Sequence, residues 1–101
     1  MIIFSTFGDA ETARKTARAL VEEKLAACAN IVPQIESIYR WLGKIETGAE
    51  TLVIFKTTRD KYPSFEQRLR DLHPYEVPEI LAVEAAAGWP DYLDWIADSV
   101  S

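Results

Sequence analysis

The chain opens on Met1 to Phe7, a short apolar run closed by Gly8-Asp9, which predicts a buried strand followed by a helix N-cap at Asp9. Beyond it Ala10, Ala13, Ala17, Leu20, Val21 and Leu25 recur at helical steps, while Glu11, Lys15, Arg18 and Glu22 take the opposite face. That spacing predicts one amphipathic helix of about four turns. From Ala27 to Trp41 the period changes to two: Ile31, Pro33, Ile35, Tyr39 and Trp41 share one parity, and Val32, Gln34, Glu36 and Arg40 the other. Strands commonly run about five or six residues, so a run of this length is expected to project beyond its own core. Pro33 has no N–H for a ladder, which places it at an edge, a bend or a bulge. Leu42-Gly43 predicts the turn, and the chain returns through Lys44-Ile45-Glu46 to Leu52-Val53-Ile54-Phe55-Lys56, with Gly48 expected to form a bulge.

Asp60 as cap, Pro63 in the first turn, and Tyr62, Phe65, Leu69 and Leu72 at helical spacing predict a second helix that His73-Pro74 ends. Ile80 to Val83 reads as a fourth strand, and Pro90 opens a short closing helix carrying Tyr92, Leu93, Trp95 and Ile96. The order βαββαβ with an added helix is the split βαβ pattern of a ferredoxin-like α+β sandwich: one domain over residues 1–101, with a long extended hairpin and a C-terminal helix. Two helices on one face of the sheet leave the other face apolar and uncovered. The overlong hairpin offers a way to cover it, through edge pairing with further copies of the chain.

Composition narrows the partners. With 11 basic against 16 acidic residues the formal charge is -5, and the basic residues do not cluster, so neither nucleic acid nor anionic membrane is an expected partner. No apolar stretch approaches the length of a membrane span. A single cysteine excludes an intrachain disulfide, and Met1-Ile2-Ile3-Phe4 reads as a strand rather than a secretory leader, so the expected compartment is the cytoplasm.

Candidate chemistry is sparse. One cysteine and one histidine are too few for a closed zinc site within the chain, and folding is expected to require no cofactor. Cys28, set among alanines, reads as a small hydrophobe rather than a nucleophile, which would need a base and an electropositive setting. The densest polar segment is His73-Pro74-Tyr75-Glu76-Val77-Pro78-Glu79, where two prolines stiffen a loop holding an imidazole, a phenol and two carboxylates. Such preorganisation suits a binding or acid–base site. It equally suits a stiff helix-to-strand connection with His73 at a helix C-terminus, where its cation is favoured. Tyr39 and Trp41 near the hairpin tip are residue types enriched in interface anchors, and packing at a subunit contact is their expected role. Lys44, Lys56 and Arg40 could frame a cationic cleft between chains for a small anion, or Lys44 and Glu46 could be edge charges that discourage aggregation.

Several ordered segments together closely resemble the CutA family of divalent-cation tolerance proteins. They are Lys24-Leu25-Ala26-Ala27-Cys28-Ala29-Asn30-Ile31-Val32-Pro33, Ser37-Ile38-Tyr39-Arg40-Trp41 with Gly43-Lys44, Lys56-Thr57-Thr58, the 73–79 loop, and Tyr92-Leu93-Asp94-Trp95-Ile96. The resemblance implies a homotrimer of ferredoxin-like subunits, similar in build to the PII signalling proteins, with a cytoplasmic role in tolerance of copper and other divalent ions. Metal binding, PII-like signalling and a chemistry in the clefts between subunits all remain open as activities. Copper ligands proposed in the family include a cysteine at the end of the first strand and two consecutive histidines before the Pro-Tyr pair. Here those positions hold Ser5 and Leu72-His73, with Cys28 matching a further family cysteine, so only weak copper binding through His73 or Cys28 is implied. The cleft set Tyr39, Trp41, Lys44, Lys56, His73, Tyr75, Glu76 and Glu79 matches better. The expectation is a binding or signalling module that takes a metal ion or small anion. The alternatives are an enzyme using His73 with Glu76 or Glu79 for acid–base work, and a pure trimeric scaffold.

Overall fold

The computed structural model describes residues 1–101 in the order β1 (Ile2–Phe7), α1 (Ala10–Glu22), β2 (Cys28–Trp41), β3 (Lys44–Lys56), α2 (Tyr62–Leu72), β4 (Leu81–Val83) and α3 (Pro90–Ser99). The strands form one antiparallel sheet in the order β2-β3-β1-β4, so β2 and β4 are its edges. This is the ferredoxin-like sandwich with a closing helix that the periodicities predict.

The core lies between the sheet and two helices. Ile3 and Phe7 of β1 and Val53 and Phe55 of β3 are fully buried against Ala13, Ala17 and Leu20 of α1 and Phe65 and Leu69 of α2. Burying an aliphatic or aromatic side chain of this size stabilises by roughly 1.5–3 kcal/mol. Phe65 meets Phe55 edge-on, with ring centroids 5.0 Å apart. Separately, Ile96 of α3 and Val100 at its C-cap form a small cluster with Ala27, the residue just before β2.

Local chemistry sets the ends of the elements. Asp9 caps α1 through its carboxylate, which accepts from the Thr12 N–H at 2.7 Å and the Thr12 hydroxyl at 3.0 Å. The helix closes at Glu22, so Leu25 lies outside it, just past Lys24 in the left-handed region at φ 60°. Asp60 does not cap α2. The helix starts at Tyr62 behind Lys61 with no side-chain cap, and Thr58 supplies the turn, its carbonyl accepting from the Lys61 and Tyr62 N–H groups. The hairpin turns on Leu42 at φ 51° and Gly43 at φ 79°, the positive pair a two-residue type I′ turn demands.

The bulge falls in β2 and not at Gly48, which pairs regularly with Ser37. Val32 pairs with Leu52 and Ile35 with Glu50, so Pro33 and Gln34 together oppose Thr51 alone, with Gln34 at φ 59°. One extra residue reverses the parity of everything beyond it. Ile31, opposite Val53, faces the helices, whereas Ile35, Tyr39 and Trp41 lie opposite Glu50, Glu46 and Lys44 on the other face. The single face that alternation assigned to Ile31, Tyr39 and Trp41 is therefore split in two.

β1 ends at Phe7, opposite Thr51, while the β2–β3 ribbon runs on for the rest of its length without it. The molecule is accordingly elongated, 44 × 26 × 22 Å. The sheet face opposite α1 and α2 carries Phe4, Leu52, Ile54, Val32, Leu81 and Val83, of which Val32, Leu81 and Val83 are exposed.

Candidate functional site

The step where β1 stops and the ribbon continues is occupied by the connection from α2 to β4. His73 anchors it. As C-cap of α2, His73 donates its backbone N–H to the Leu69 carbonyl at 2.9 Å. Its ring turns inward, 7% exposed, and stacks on Phe7 with centroids 4.3 Å apart. Nδ1 accepts the Tyr75 N–H at 3.1 Å, which leaves the proton on Nε2, and Nε2–H donates to the Thr6 carbonyl at 2.8 Å. Burial lowers the imidazole pKa below its ordinary value, against the smaller opposing pull of Thr6 and Glu50. The structure thus holds a neutral, fully bonded ring at this helix end.

Tyr75 continues the chain of contacts. Its hydroxyl donates to Glu50 Oε2 at 2.7 Å. Burial, with help from that carboxylate, pushes the phenol above its ordinary range. The hydroxyl also passes Gly8 so closely that a Cβ there would lie 3.4 Å from it, a tight but ordinary contact.

Between this loop and the outer half of β2 lies a groove of about 720 Å³. Tyr39 and Trp41, 47% and 44% exposed, line it from the ribbon, and Tyr75, Glu76 and Glu79 line it from the loop. Five of the residues singled out in the sequence therefore meet in one place. Glu50 and Thr6 join them, and neither is legible as a site residue in the sequence. Glu50 carries one faint signal, the parity it shares with Leu52 and Ile54 on a strand whose inner half is otherwise apolar.

The other candidates sit elsewhere. Lys44 begins β3 and Lys56 ends it, about 40 Å apart along an extended strand. Within one chain they cannot frame one cleft. Lys56 donates to Asn30 Oδ1 at 2.9 Å, beside Cys28, whose Sγ is 4.0 Å from the Tyr92 hydroxyl. Ser5 lies fully buried in the core with its hydroxyl unpartnered.

This geometry does not fit the copper site that the family resemblance raises. Ser5 faces the helices, His73 has both ring nitrogens committed, Cys28 is at the far end of the sheet, and nowhere do three histidine, cysteine or carboxylate side chains converge. No helix is long and apolar enough to cross a membrane.

Fold and groove together define a class: a ferredoxin-like α+β protein whose overhanging hairpin and Pro-stiffened loop enclose a small-molecule-sized groove. The chain belongs to the CutA1 divalent ion tolerance family, whose model matches residues 1–99. It is 47% identical over 98 residues to the divalent-cation tolerance protein CutA of Thermus thermophilus, a match covering 97% of this chain and 95% of that one. It is 45% identical over 93 residues to the CutA protein of Mus musculus, covering 92% of this chain but 52% of the longer mouse protein. The crystal structure of CutA from Xylella fastidiosa superposes with a TM-score of 0.96 at 43% identity, covering 99% of this chain and 96% of the other.

Proposed function

We propose that this protein acts in tolerance of divalent cations as a cytoplasmic homotrimer, and that the groove beneath the hairpin is its small-ligand site, closed by a neighbouring copy. The observation that carries this reading is the groove itself. A cavity of about 720 Å³ lies where the bulge, the missing end of β1 and the Pro-bracketed loop bring aromatic and carboxylate side chains together. Cavities of about 300–1,000 Å³ with a few convergent polar groups are the usual form of small-molecule sites. Assembly draws support from the exposed Val32, Leu81 and Val83 on the face opposite α1 and α2 and from two unpaired sheet edges, one of them the full length of β2.

Binding is favoured over catalysis because the one histidine has both nitrogens bonded and does not line the groove. Light scattering across a dilution series tests the assembly, and a trimer mass is expected; a monomer at micromolar concentration overturns it. Copper titration by calorimetry is expected to give weak heats in wild type and stronger ones in Leu72→His. Tight stoichiometric binding by wild type overturns the reading of Ser5 and Leu72 as lost copper ligands.

A further inference from the structure

We propose that the groove receives an organic cation, an ammonium or guanidinium group on a short aliphatic chain, an inference that rests on reading the groove as a binding site and specifies its ligand. Three observations converge on this chemistry. The ribbon wall presents two aromatic rings, Tyr39 and Trp41, which the bulge at Pro33 and Gln34 turns onto the groove's face and leaves about half exposed. Aromatic faces attract cations through the ring quadrupole. The loop wall presents Glu76 and Glu79, held on a segment stiffened by Pro74 and Pro78, while Glu50 is fixed by the Tyr75 hydroxyl at 2.7 Å. No lysine, arginine or histidine of this chain lines the groove, and the two ion pairs of the chain, Arg59–Glu84 and Arg68–Glu23, lie outside it.

This arrangement discriminates among ligands. An anion meets three carboxylates with no basic partner among the residues that this chain contributes to the lining. A small hydrated metal ion needs several oxygen or nitrogen donors converging on one point, which the carboxylates do not provide. An organic cation needs neither. Its charge is distributed between ring faces and separated carboxylates, and its chain packs on Ile38 and Val77 of the same groove.

The test is calorimetry on the intact protein with butane-1,4-diammonium, its uncharged counterpart butane-1,4-diol, and Mg²⁺, which carries the same charge as the diammonium without a surface for aromatic contact. Saturable binding of the diammonium is expected, with the diol and Mg²⁺ each weaker by about tenfold or more. Glu79→Gln and Trp41→Leu should each weaken the diammonium about tenfold, whereas Trp41→Phe retains most of the affinity. Equal binding of Mg²⁺ and the diammonium overturns the inference, because it would reduce the groove to non-specific negative charge. Light scattering on the same samples separates this inference from the assembly. A trimer that gives no diammonium heat overturns the inference alone, a monomer that binds overturns the assembly alone, and a monomer that does not bind overturns both.

Discussion

The state of His73 is decided by burial and by one hydrogen bond. Its Nδ1 lone pair accepts the Tyr75 N–H, so a second ring proton would point at a donor, and burial penalises the charge further. The folded pKa therefore lies below the unfolded value of about 6.5. A lowered histidine pKa means that the unfolded chain takes up the proton first. The stabilisation is fully present above about pH 6.5 and is lost as pH falls from there toward the folded pKa. We expect the denaturation midpoint to drop between pH 7 and 5, with a slope reaching at most about 1.4 kcal/mol per pH unit. His73 is the only histidine, so the window is free of other imidazoles, and His73→Phe should flatten it. An unchanged slope in that variant would remove His73 as the source. In the sequence this residue and its loop stand out, and a charged ring at a helix end is one of two readings open there, beside a binding or acid–base site. Whether the ring points outward or back onto Phe7 depends on contacts 66 and 67 positions away along the chain, which no local pattern encodes.

Among the elements, the β2–β3 ribbon shows most clearly how local signals combine. Its length and its turn were legible, since a period of two runs from Ala27 to Trp41, Leu42-Gly43 follows, and an apolar run returns at Leu52 to Phe55. Leu42 pays a conformational penalty there: a residue with a Cβ in the left-handed region costs roughly 1–2 kcal/mol. Its side chain is 86% exposed and recovers nothing by burial within the chain. Leu42→Asn, a residue that tolerates this region, is expected to raise stability by about 1 kcal/mol in urea denaturation. A loss instead would mean that a neighbouring copy packs on Leu42. The bulge was harder to place. Gly48 carried the usual compositional cue, yet Gly pairs without strain in a ladder. Pro33 cannot donate to one at all, so the ladder breaks at Pro33 and Gln34 on the edge strand. The helix starts divided in the same way. Asp9 caps α1 as its position foretells, while at α2 the turn through Thr58 places the first helical residue too late for Asp60 to serve.

At the scale of the whole molecule, the sheet has one face covered by α1 and α2 and an opposite face that α3 meets at Cys28, and both of its edges are open. The proposed assembly covers that second face. Val83 stands on it, opposite Ile2 and 45% exposed, so Val83→Lys is expected to lower the mass seen by light scattering from trimer toward monomer with the far-UV circular dichroism unchanged. A trimer that persists unaltered would place the contact elsewhere. The order of strands and helices, the apolar face opposite α1 and α2, the reach of the hairpin and the family were all set down in the sequence, because hydrophobic period, turn residues and ordered motifs act over a few neighbouring positions. The groove was not. Its walls come from residues 39 and 41, 50, and 75 to 79, joined only where β1 ends short of the ribbon. A single inserted residue in β2 then chooses the face on which the aromatics stand. Such features depend on which strand pairs with which, and at what register, and those are properties of the closed sheet rather than of any one segment.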